Sequence, residues 1–177
     1  MKKVTKIFAI AAGLFMLTAT ASYAQSRENA KGVRLGVGIS GGLTVPETSP
    51  FDYALGADLG FQFDLSRELA LTATGGYTMF KAGENQGEDY NFIPVKGGVK
   101  VFPQIGGLYL SGEAGFGFGT KEGAKESFLY SGGIGYQTAG GFDIGARYEG
   151  VTQQRTSNTY RAQNGQVALR LAYSFKL

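Results

Sequence analysis

From Tyr53 to Leu65 every odd-numbered residue is apolar, and the residues between are Ala54, Gly56, Asp58, Gly60, Gln62 and Asp64. A period of two is the signature of a β-strand with one apolar face and one small or polar face. The pattern recurs over Val33–Thr44, Leu69–Phe80, Phe92–Phe102, Leu108–Gly119, Ser127–Gln137, Phe142–Val151 and Gln166–Leu177, so eight strands are predicted. The apolar set is odd-numbered in the first four segments and in the last. It is even-numbered in the fifth, sixth and seventh, through residues such as Leu110, Phe116, Ile134 and Ile144. Pro94 lacks a ladder donor, so the fourth strand is expected to start irregularly there.

The connections alternate in length. Short ones follow the second, fourth and sixth strands, and long polar ones follow the first, third, fifth and seventh, the longest being Thr152–Gly165. An even strand count with alternating short turns and long loops is the pattern of an outer-membrane barrel. A soluble lipocalin-like barrel also alternates, with its apolar face inward. Two features favour the outward orientation. The non-apolar face is mostly Gly, Ala, Ser and Thr, which suits a narrow interior. Aromatic residues also gather near strand ends, as interfacial girdles would. Phe61, Phe63, Phe102, Tyr136, Phe142, Tyr173 and Phe175 lie near the turns; Tyr53, Tyr77, Phe80, Phe92, Phe118, Phe128 and Tyr148 lie near the loops.

The N-terminus carries Lys2, Lys3 and Lys6, then an apolar run from Ile7 to Leu17, then Ser22-Tyr23-Ala24. This reads as a secretory signal peptide over residues 1–24, followed by a periplasmic lead-in at 25–32 and the barrel at 33–177. The run is too short for a spanning helix, which needs about 20 residues. Three of the 17 basic residues lie in that segment, so the rest of the chain balances its 14 acidic residues. Nothing in the charge points to nucleic acid. The sequence has no Cys and no His, which removes disulfides, thiolate metal sites and His-dependent catalysis together. No catalytic residue, cofactor or metal is expected.

With the small face inward, the interior acids are Asp58, Asp64, Glu113, Asp143 and Glu149, and the bases are Arg34, Lys96, Lys100, Arg147 and Arg170. Buried charges need partners, so a mutually neutralising network is expected, centred on Asp58, Lys96, Lys100, Glu113, Arg147, Glu149 and Arg170. Lys96 or Lys100 is placed to reach Glu113 on the next strand. Such a set holds a barrel shut, or else lines a narrow path for ions or small solutes. Other motifs carry less. Gly36-Val37-Gly38-Ile39-Ser40-Gly41 spells a dinucleotide fingerprint, but within a strand and with no helix after it. Glu84, Glu88 and Asp89 match no calcium-loop spacing. Lys121, Lys125, Arg155 and Arg161 offer positive loop tips to lipopolysaccharide phosphates or to a surface partner.

The alternation, the segment Tyr109-Leu110-Ser111-Gly112-Glu113-Ala114-Gly115-Phe116-Gly117 and the aromatic last strand resemble the small eight-stranded outer-membrane barrels, the family of OmpX and of the OmpA barrel. The likeness covers Val33 to Leu177. It implies an all-β antiparallel up-and-down transmembrane barrel, inserted by the barrel-assembly machinery among outer-membrane lipid and lipopolysaccharide. The long–short loop asymmetry over a plugged lumen leads to the expectation of a non-enzymatic protein with a structural role or one exercised through the outer loops. The chain ends Phe175-Lys176-Leu177, which displaces by two places the terminal Phe usual in that family.

Overall fold

The structure, a computed structural model, describes residues 31–45, 51–83, 89–103, 106–121, 126–155 and 159–177, with 153–155 and 159–164 as backbone only. The expected segment 1–24 and most of the lead-in lie outside these residues. Eight strands follow one another: β1 (Gly32–Val45), β2 (Phe51–Asp64), β3 (Leu69–Ala82), β4 (Tyr90–Val101), β5 (Leu108–Gly119), β6 (Ser127–Gln137), β7 (Phe142–Arg155) and β8 (Thr159–Lys176). Each pairs antiparallel with the next, and β8 pairs with β1, so the sheet closes into a barrel with no edge through the wall.

Closure requires a stagger between strands. From Val33 the rungs pass through Phe63, Leu71, Val99, Gly112, Gly132, Tyr148 and Val167 and return to β1 at Leu43, ten residues along. With standard strand spacings that stagger tilts the strands by ~40° from the barrel axis.

One end carries the short turns. Between β2 and β3, Ser66 Oγ accepts from the backbone N–H groups of Glu68 (3.2 Å) and Leu69 (3.0 Å). Between β4 and β5, Gly107 adopts φ 98°, a conformation that favours glycine, and its carbonyl accepts from the Gln137 N–H at 2.9 Å. The other end carries the loops.

The alternation determines which face each side chain takes. Ile39, Leu59, Val95, Leu110, Ile134, Val167 and Phe175 all point outward, with Ile39 at 61% and Leu59 at 59% exposed. A continuous apolar belt of this kind is not a water-facing surface. It suits hydrocarbon, in which closure satisfies every backbone donor and acceptor of the wall.

Three expectations need correction. Phe80, Phe92 and Phe102 are not girdle residues. They have the inward parity of Thr78, Lys96 and Lys100, and they are buried inside the barrel. The connection expected over Thr152–Gly165 is mostly strand. After an irregularity at Val151/Thr152, β7 and β8 continue to pair through Thr152↔Ala162 and Arg155↔Thr159. β4 starts at Tyr90 and contains Pro94 within it; the registered β3–β4 pairs skip from Gly75↔Val95 to Thr78↔Phe92 around that proline.

Candidate functional site

Inward parity brings the charged side chains of β1, β2, β4, β5, β7 and β8 into one narrow lumen, where they form layers. The middle layer is built on Lys96. Its Nζ lies 2.5 Å from Glu149 Oε2 and 3.1 Å from Glu113 Oε2. Arg147 flanks the same two acids, with Nη2 3.8 Å from Glu149 and Nη1 4.0 Å from Glu113. The remaining carboxylate lone pairs are met by neutral donors. Gln166 Nε2 donates to Glu149 at 2.9 Å, Thr74 Oγ1 to Glu113 at 3.2 Å and Ser131 Oγ to Glu113 at 3.3 Å. Lys96 and Glu149 are 4% and 1% exposed, so the pair is fully desolvated.

Two further pairs are separate from this set. Arg170 Nη2 sits 2.5 Å from Asp58 Oδ1, with its Nε donating to both carboxylate oxygens at 3.1 and 3.2 Å. Lys100 reaches across to Asp143 at 2.5 Å rather than to Glu113. Tyr109 donates its hydroxyl to the other Asp143 oxygen at 2.6 Å, and Lys100 Nζ lies 4.2 Å from the Tyr109 ring centre. At the turn rim, Arg34 Nε pairs with Asp64 at 2.8 Å. Gln62 donates to Asp64 at 2.7 Å and exchanges hydrogen bonds with Gln137 at 3.1 and 3.2 Å.

The seven residues named from sequence therefore divide between separate ion-pair clusters. Lys96, Glu113, Arg147 and Glu149 share one; Asp58 with Arg170, and Lys100 with Asp143, stand apart. Sequence reasoning did not single out Gln62, Tyr109, Gln137 and Gln166. Their signal was present, since each is a long polar side chain at an inward position.

Two apolar clusters accompany the charges, one toward the loop end and one at the turn end. Toward the loop end, Ala54, Phe80, Phe92, Leu129 and Val151 form a buried group, with Phe51 and Tyr90 packed on it. The Phe80 and Phe92 ring centres are 5.8 Å apart. At the turn end, Ala70, Phe102 and Tyr109 form the second group. No group of metal-ligating side chains occurs among the described residues.

At the loop end Lys81 Nζ pairs with Asp89 at 2.7 Å, and Asp89 Oδ1 accepts from the Ala82 N–H at 3.0 Å. The hydrogen bond from Lys81 holds the Asp89 carboxyl below its ordinary value, helped by that backbone N–H. The Glu84 and Glu88 side chains of the expected acidic cluster lie outside the described residues, as do those of Lys125, Arg155 and Arg161. Lys121 is exposed.

No family model matches the chain, and no curated protein does. Solved structures do. The N-terminal barrel of Pseudomonas aeruginosa OprF aligns with a TM-score of 0.59 at 12% identity, covering 82% of this chain and 99% of its own. Yersinia pestis Ail in complex with the heparin analogue sucrose octasulfate aligns with a TM-score of 0.56 at 17% identity, covering 83% and 100%. Neisserial surface protein A aligns at 0.53 and 13% identity, covering 84% and 100%. A closed eight-stranded antiparallel wall, apolar outside and ion-paired within, thus gives this chain the fold of the small outer-membrane β-barrels.

Proposed function

We propose that this protein is a non-enzymatic integral outer-membrane barrel, whose role is structural or exercised by its loops at the cell surface. The observation that carries this reading is the outward apolar belt around a lumen filled by side chains. Such a wall is stable only in an apolar surround such as a bilayer or a detergent micelle, and its occupied interior leaves little room for transport. This favours a filled barrel over the narrow pore that the same charges also permit. The solved barrels of like fold include a neisserial surface protein and designed transmembrane barrels.

On this reading residues 1–24 direct export, the turn end and both strand termini face the periplasm, and the loop end faces outward. The barrel-assembly machinery inserts the wall, and lipopolysaccharide surrounds its outer half. Surface contact falls to the loop end, where the β7–β8 ribbon runs past the rim. Ail, of like fold, was solved with a sulfated ligand. Sucrose octasulfate is therefore a reasonable first probe of the loop end, where the sequence places Lys121, Lys125, Arg155 and Arg161.

Fractionation and gel migration test the location. The protein should pellet with the outer membrane and migrate differently when loaded unheated and boiled. Recovery in the soluble periplasmic fraction would instead support the lipocalin-like alternative.

A further inference from the structure

The lumen is not uniform along its axis. A cavity of about 60 Å³ lies on the turn side of the Lys96 layer, bordered by Thr72, Thr74, Lys100, Ser111, Glu113 and Arg147. Two of the bordering residues, Thr72 and Arg147, also carry a buried atom without a hydrogen-bond partner in the protein, Oγ1 and Nε respectively. An orphaned buried donor or hydroxyl is costly, and a polar cavity that size holds water when each molecule needs only ~10–15 Å³ and a few polar partners. The cavity extends toward the turn end as far as Gln62, Gly36 and Ser174. Gln62 there meets Gln137 in a polar rim.

The opposite direction is different. Beyond Lys96 and Glu149 the axis meets Phe80, Phe92 and Leu129, each at most 1% exposed. Gly117 on β5 makes room for them; a Cβ there would stand 2.9 Å from a Phe92 ring carbon and 3.3 Å from a Leu129 methyl. Packed rings offer an ion no oxygen or nitrogen with which to replace its hydration shell.

We propose that the lumen is a dead-end vestibule: a hydrated pocket for water and very small polar solutes, bounded at the turn end by the polar Gln62–Gln137 and Arg34–Asp64 contacts, through which alone it is reached, and closed toward the loops by the Phe80–Phe92–Leu129 plug. The outer-membrane reading enters only in naming the turn end periplasmic. The vestibule itself stands or falls in detergent micelles, whatever fractionation shows.

The absence of native cysteine makes the test clean. Ser111→Cys places a thiol in the pocket, and Leu129→Cys places one in the plug, with Val151→Cys as the alternative if Leu129→Cys fails to fold. Each folded variant, verified by its unheated gel migration, is exposed to silver ion in micelles, and the residual thiol is counted after unfolding. The Ser111→Cys thiol should be consumed about tenfold or more faster, since thiol chemistry follows access. Equal slow rates would overturn the hydrated pocket, and equal fast rates would overturn the plug. Planar-bilayer recording supplies the second arm. The unsubstituted protein should show no steady conductance, and the Phe80→Ala/Phe92→Ala double variant should conduct. A conducting parent, or a double variant as silent as the parent, would overturn the assignment of the seal.

Discussion

Lys96 is the most heavily committed charge in the lumen, since it faces both Glu149 and Glu113. Breaking a buried pair by removing one partner leaves an uncompensated charge, which costs more than replacing both. Lys96→Met should therefore destabilise the barrel by about 3 kcal/mol in a denaturant titration. Adding Glu149→Gln should recover part of that loss. A double variant worse than the single one would mean that the layer does not depend on charge balance. Two glycines of β5 make a matched pair. A Cβ at Gly115 would collide with the Val95 carbonyl oxygen, whereas nothing lies within 4 Å of a Cβ at Gly112. Gly115→Ala should prevent correct closure, seen as loss of the heat-dependent gel shift. Gly112→Ala should be neutral, or stabilise by about 0.5 kcal/mol by lowering the entropy of the unfolded chain. The inward or outward sense of these residues could be read from parity. Their partners could not, because Lys100 and Asp143 are brought together across the lumen from strands that are not neighbours.

The β3–β4 connection is held by the Lys81–Asp89 pair and by the Ala82 N–H on Asp89. Because Asp89 is held below its ordinary value of 3.8, its contribution is fully present above that value. It is lost as the pH falls through the lowered folded-state value. Amide-exchange protection at Ala82 should thus be level through the neutral and mildly acidic range and fall only below the ordinary carboxylate value. A decline beginning near neutrality would implicate another group. The strands themselves were legible over their membrane-facing lengths, where one face must be apolar. The signal failed at the ends. Thr152–Arg155 pairs with Thr159–Ala162 although neither stretch carries a sustained apolar alternation to mark it. Phe80, Phe92 and Phe102 misled for a related reason. An aromatic near a strand end suits an interfacial girdle or an interior plug equally well, and parity, not position, separates the two.

For the barrel as a body, Leu59 tests the solvent of the outer face. It is 59% exposed and pairs with Val37 on β1 and with Gly75 on β3, well inside the belt. Leu59→Arg should cost about 2–4 kcal/mol for folding into lipid vesicles, as charges near the bilayer midplane do. Indifference to that substitution would argue that the belt faces something other than hydrocarbon. The strand number, the closed wall and the sorting of side chains into two faces are all written in the linear pattern. They depend on a period of two, which each strand carries for itself. The layering of the charges and the identity of each ion pair are not. Nor are the aromatic plug over one half of the lumen and the polar cavity beneath the other. Those features arise from the ten-residue stagger that sets which inward positions share a height. That stagger belongs to the closed sheet, and no single strand encodes it.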